Sequence, residues 1–198
     1  MKNTIIILLI LSAICCKAQS PIINITDDNG NQIAGSYYKD LDNLLNVYEG
    51  TYLYTNGTTT LKIVLQKKTM SFDGHHYEDL IIGEYQYIKN GVEIINTLPR
   101  LNQMIANKRL HSIKGNFILT GTEMSCFDCA PTEKRLITGL VENETDNWGQ
   151  LSIRTTTENG QPAIKVFLYW HYRTHIEGTP EPQKASFPGG RYLMIKQS

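Results

Sequence analysis

Five Asn-Gly or Asp-Gly dipeptides, at Asn29-Gly30, Asn56-Gly57, Asp73-Gly74, Asn90-Gly91 and Asn159-Gly160, cut the chain into runs rich in β-branched and aromatic residues. Asn, Asp and Gly tolerate the positive φ that tight hairpin turns demand, so such dipeptides between such runs predict antiparallel hairpins. Alternation supports this. In LKIVLQK, Leu61, Ile63 and Leu65 share one face against Lys62 and Gln66. In AIKVFLYWHYRTHI, Ile164, Val166, Leu168, Trp170 and Tyr172 share one face, and Lys165, Phe167, Tyr169, His171, Arg173 and His175 form a mixed opposite face. A period of two with one buried face is the pattern of half-buried strands.

Helical patterning is sparse. Leu41, Leu44, Leu45 and Tyr48 follow Asp40 at helical spacing and predict a turn or two of helix with Asp40 as its cap, and LPRLNQMIANKRL reads as a long loop or a second short helix. The expected fold is therefore mainly β: one antiparallel β-barrel of the up-and-down kind, or a sandwich, with about ten strands and one or two short helices.

The opening MKNTIIILLILSAICCKAQS reads as a secretory signal peptide, with a positive charge at Lys2, an apolar run too short to span a bilayer, and small residues after it. Cleavage is expected after Ala18, leaving residues 19–198 as a single domain. A lipid anchor at Cys15 or Cys16 is the alternative, although Ile14 and Cys15 are not the small residues that such a site places before its cysteine. The destination is then the periplasm or the exterior, or the outer membrane for a lipoprotein. Loss of Lys2 and Lys17 takes 19 Lys and Arg down to 17, against 19 Asp and Glu. That balance argues against nucleic acid as a partner. No second long apolar run follows, so no membrane span is expected.

Export bears on CFDC. Cys126 and Cys129 are the cysteines left after cleavage, and an oxidising compartment favours a disulfide. The β-branched run after them is not the helix that a redox pair requires, and one CxxC provides half of a structural zinc site. The signal sequence ending CKAQ, the hairpin GTYLYTNGTTTLKIVLQKK, the segment EDLIIGEYQYIKNGVEIINTL and the terminal FPGGRYLMIKQ resemble a family of secreted Bacteroidota proteins catalogued as a domain of unknown function. The resemblance implies a secreted or envelope β protein and transfers no activity. A slighter resemblance to lipocalins lies in Leu44-Leu45 leading into Gly50-Thr51-Tyr52, with Tyr where lipocalins carry Trp.

Chemistry is thin. His75, His76, Glu78 and Asp79 offer the donors of a metal site, yet they follow Asp73-Gly74 and are expected at a solvated hairpin mouth. His171 and His175, on one strand face, lie too far apart to share an ion. Glu142 with Glu144, or Glu49 with Glu84, is the kind of carboxylate pair that any chain of this size offers. Among eleven tyrosines, Tyr52, Tyr85, Tyr87 and Tyr172, with Trp170, are the candidates for an aromatic ligand site. The expected function is a non-catalytic binding module for a small ligand or protein partner, without a cofactor. The alternative is a metal-dependent hydrolase built on the His75–Asp79 cluster.

Overall fold

The computed structural model describes residues 20–122, 126, 128–142, 144–171, 178, 181 and 183–198. Among the described residues, eleven strands form one sheet. They are β1 (Ile22–Asn24), β2 (Tyr37–Lys39), β3 (Gly50–Asn56), β4 (Thr59–Phe72), β5 (Tyr77–Lys89), β6 (Val92–Asn96), β7 (Ile113–Thr120), β8 (Lys134–Glu142), β9 (Asn147–Glu158), β10 (Gln161–His171) and β11 (Gly190–Gln197). Eight of them close on themselves in the order β3-β4-β5-β7-β8-β9-β10-β11, every neighbouring pair antiparallel, and the β5–β7 and β11–β3 ladders complete the ring. The fold is thus a barrel and not a sandwich, and closure removes the exposed sheet edges of its wall.

The turn dipeptides do what their chemistry allows. Asn90-Gly91 joins β5 to β6 and Asn159-Gly160 joins β9 to β10, both residues of each pair at positive φ. Asp28-Asn29-Gly30 does not make a hairpin. β1 and β2 pair in parallel, and β2 adds in parallel to the start of β5, because the twelve residues between β1 and β2 are enough for a crossover.

The expected helices are 3-10 turns. Asp40 accepts from the amides of Leu44 and Leu45 at 2.8 and 3.0 Å, but it closes a turn and caps no helix: the helical residues are the three of Asn46–Tyr48, whose N-cap is Leu45 without a side-chain cap. The connection 97–112 holds two more, Leu98–Asn102 and Lys108–Leu110. It lies across the outer face of β5, so that strand is buried on both sides.

Leu61, Ile63, Leu65, Ile164, Val166, Leu168 and Trp170 face inward as their alternation requires. Together with Tyr52, Tyr85, Tyr87, Leu151, Ile153 and Met194 they fill the interior, as expected of an eight-stranded barrel. Trp170 is 2% exposed, and its indole N–H donates to Phe187 O at 3.0 Å. Its partner across the ladder is Gly149, where a Cβ would come within 2.9 Å of the indole.

Candidate functional site

Cys126 and Cys129 form a disulfide in the loop joining β7 to β8. The loop does not stand free at a hairpin tip. Arg154, on the outer face of β9, draws it onto the barrel wall: the guanidinium donates to Asp128 Oδ2 at 2.9 Å and to Cys129 Sγ at 3.2 Å, and it lies 3.5 Å from Glu133 Oε1. The hydrogen bond and charge of Arg154 hold the Asp128 carboxyl below the usual carboxylate range.

The histidine–carboxylate cluster takes a different place from the solvated mouth that its neighbouring turn indicates. His76, Glu78 and Asp79 are buried, and each carboxylate is committed. Glu78 is held bidentately by Arg109 and also accepts from Asn116 at 3.0 Å. Asp79 accepts from the Tyr37 hydroxyl at 2.5 Å and from the amides of Asp40 and Met70 at 3.0 Å. His75 lies apart, its Nε2 3.2 Å from Gln32 O. Asp73, His76 and Glu78 do gather their donor atoms within 4.8 Å. Yet Asp73 spends one oxygen on the amides of His75 and His76, and Glu78 faces a guanidinium. The arrangement suits an ion-paired strand start better than a cation centre.

The other carboxylate pairs do not face one open space. Glu84 is buried under the 97–112 connection, 2.9 Å from His111 Nδ1. Glu142 is also buried, accepting from the Ser186 amide and the Thr145 hydroxyl. Tyr52, Tyr85, Tyr87 and Trp170 lie in the packed interior, between 0 and 4% exposed. Burial pushes the Tyr52 hydroxyl up to about 12, and burial with the nearby carboxylates drives that of Tyr85 higher still. Tyr172, Arg173 and His175 lie outside the described residues, as do Cys15 and Cys16.

An open concavity lies on the outside of the barrel, where β8 to β11 run beneath the disulfide loop. It is a groove of about 850 Å³. Arg135, Arg154, Lys165 and Arg191 bring positive charge to it, and among the described residues Asp128 is the one carboxylate in its lining. Register makes this charge dense: Lys165 sits directly opposite Arg154 across the β9–β10 ladder. Like charges so placed repel. Arg154 finds Asp128 and Glu133, whereas Lys165 and Arg191 make no salt bridge among the described residues. Phe167 and Tyr169 stand about half exposed beside them, and Tyr169 meets His171 edge to face at 5.0 Å. An anionic group with a flat, partly apolar body matches such a lining.

Sequence reasoning noticed the mixed outer face of β10 but not the groove. The signal was present in Lys165, Phe167, Tyr169 and His171; the loop that walls the groove arrives through Arg154, a contact with no local trace in sequence.

No curated protein and no solved structure matches the chain, so the likeness to lipocalins has no structural neighbour behind it. One family does match, over residues 1–197, described as a family of unknown function (DUF6705), and the chain belongs to it.

Proposed function

We propose that this barrel is an exported, non-catalytic binding protein whose ligand site is the outer groove over β8 to β11. The observation that carries the reading is the joint placement of Lys165, Arg191, Phe167 and Tyr169 around one concavity of about 850 Å³. Cations with no salt bridge among the described residues, beside half-exposed rings, favour an anionic ligand with a flat face, and the filled interior turns the reading away from a lipocalin-type central cavity. Export is supported by the signal-peptide pattern and is compatible with the disulfide. The hydrolase alternative has no support, because Glu78 is committed to Arg109 and Asp79 to three donors.

A direct test uses 8-anilinonaphthalene-1-sulfonate, an aromatic sulfonate, as a fluorescent probe on the folded, oxidised protein. One saturable site is expected, and the double variant Lys165→Ala/Arg191→Ala should weaken it at least tenfold. Absence of saturable binding, or binding indifferent to that variant, would refute the groove as a ligand site. Both side chains are exposed, so the variant should keep the parent urea midpoint.

A further inference from the structure

The groove does not end at β8. A second, shallower hollow of about 260 Å³ lies over β7, β8 and β9, and Ile137 and Gln150 line both. Rings cross the seam as well. Trp148, about half exposed in the second hollow, stacks on His171 of the first with ring centroids 3.7 Å apart and planes 12° apart. His171 in turn meets Tyr169. Tyr169, His171 and Trp148 therefore make a continuous aromatic ladder from one hollow into the other. The second hollow brings its own cation, Lys114, half-buried, with its ammonium pKa lowered by that burial. Phe117 stands about half exposed beside it.

The trough so formed crosses five neighbouring strands, roughly 19 Å at ~4.8 Å per strand, and follows the curve of the wall. It is too long for one compact ligand. Its positive groups are spaced, with Arg191 and Lys165 at one end and Lys114 at the other, and rings lie between them. A single-stranded nucleic acid carries a phosphate at every unit and calls for a denser basic track. Here few of the positive groups are open, since Arg154 and Arg109 face Asp128 and Glu78 and Arg135 is buried at 3% exposure. A chain of pyranose rings has flat faces of C–H groups to lie on aromatic rings and hydroxyls for edges such as Gln150 and Ser152. With a carboxylate or sulfate on some of its units it also supplies negative charge at intervals.

Resting on the groove as the binding site, we propose that its natural occupant is an extended acidic glycan, laid across the outer wall from β11 to β7. Arg191 and Lys165 take its charge at one end and Lys114 at the other, and Trp148 carries a sugar ring over the seam. The site is one of length as well as charge. A short oligomer fills the first groove alone, and a long one gains the second.

The test measures binding of oligogalacturonates of two and eight units, a heparin-derived octasaccharide, maltooctaose and an oligo-dT strand to the exported protein by isothermal titration calorimetry. The octagalacturonate, the sulfated octasaccharide or both should bind at least tenfold more tightly than digalacturonate, and which one does so separates carboxylate from sulfate recognition. Lys114→Ala should bring the octamer down to the affinity of the dimer while leaving anilinonaphthalene sulfonate binding in the first groove unchanged, and Trp148→Ala, which also removes the ring stacked on His171, should weaken the octamer at least tenfold. Lys165→Ala/Arg191→Ala should weaken both. Equal affinity for dimer and octamer, equal affinity for neutral maltooctaose, indifference to Trp148→Ala and Lys114→Ala, or tighter binding of oligo-dT would each overturn the proposal. Binding of the sulfonate probe without binding of either acidic octamer would overturn the glycan and leave the groove standing. Loss of the probe site as well would remove both. Urea midpoints equal to the parent's identify a variant that changes binding and not folding.

Discussion

Trp170→Ala tests the packing on which the barrel wall depends. The indole is 2% exposed. A buried aromatic removes ~150–250 Å² from water, and at ~25 cal/mol per Å² that is about 4–6 kcal/mol before correction. Alanine keeps a small part of this, and a compact unfolded chain lowers it further. Against that, the variant leaves Phe187 O without its indole donor, a buried acceptor worth ~1–3 kcal/mol when orphaned. The wall cannot easily close on the vacated space, because Gly149 and Gly189 border the indole and have no side chain to move into it. The net expectation is a loss of about 4 kcal/mol, within the ~3–5 kcal/mol range of Trp and Phe truncations. For a domain stable by ~5–15 kcal/mol that is a large fraction. Trp170→Phe keeps most of the apolar volume but not the donor, and should cost less. Gly149→Ala attacks the same contact from the other side, with a methyl 2.9 Å from the indole and 2.7 Å from Tyr169 O, and should cost ~1–3 kcal/mol by overpacking. Urea unfolding followed by far-ultraviolet circular dichroism, with unchanged slope, measures all three. A loss under ~1 kcal/mol for Trp170→Ala is the range of exposed sites and would refute the inward orientation of β10.

Other outcomes follow from buried charge, burial of phenols and export. Arg109→Ala should cost ~3 kcal/mol, the low end for a broken buried pair, because it strands Glu78 at 2% side-chain exposure while Arg109 itself is 37% exposed; a loss below ~1 kcal/mol in urea would show that Glu78 does not need its partner. The hydroxyls of Tyr48, Tyr52 and Tyr192 are pushed up to about 12, chiefly by burial. A folded pKa raised above the unfolded value of ~10 stabilises the fold below that pH and withdraws the contribution as pH rises toward 12. Phenolate absorbance should therefore appear for the exposed tyrosines first and for these three only with alkaline unfolding. Full reversible ionisation of all eleven tyrosines near pH 10 would contradict their burial. Intact mass of exported protein should fit a chain beginning at Gln19 with no free thiol; an acylated chain beginning at Cys15 or Cys16, or two reactive thiols, would contradict it.

How much of this was legible in the sequence depends on whether a residue's surroundings are local. In β4 and β10 only one face is covered, so a period of two identified the inward residues from Leu61 to Leu65 and from Ile164 to Trp170. In β5 the same reasoning fails. EDLIIGEY is buried on both faces because the 97–112 connection lies over its outer side, and no pattern within the strand announces a cover that arrives from elsewhere. That cover is also why Glu78 and Glu84 are buried ions and not surface charges: Arg109, Arg100 and His111, which meet them, all come from the connection. The turn dipeptides located the hairpins that bound β9, β10 and β6, but the same chemistry at Asn29-Gly30 serves a crossover, since an Asn-Gly pair states that the chain turns and not which strand it turns toward.

The groove shows the same division between local and distant information. Its floor is the outward set of β9 and β10, readable from alternation once those strands are recognised as a hairpin. Its wall is not readable. Arg154 lies 26 residues from Asp128, and nothing in either neighbourhood says that the two meet. Their meeting changes the meaning of both. Without the loop, Arg154 and Lys165 would be two repelling cations on an exposed strand pair, a mild liability of the fold. With it, one cation is neutralised and the other is left beside Phe167 and Tyr169 in a concavity, where positive charge next to an apolar ring selects for anionic, flat-faced ligands. The disulfide joins Cys126 to Cys129 on either side of this contact, and closing so short a loop removes little unfolded-state entropy, so its effect is expected to be local to the stretch of wall that Arg154 touches.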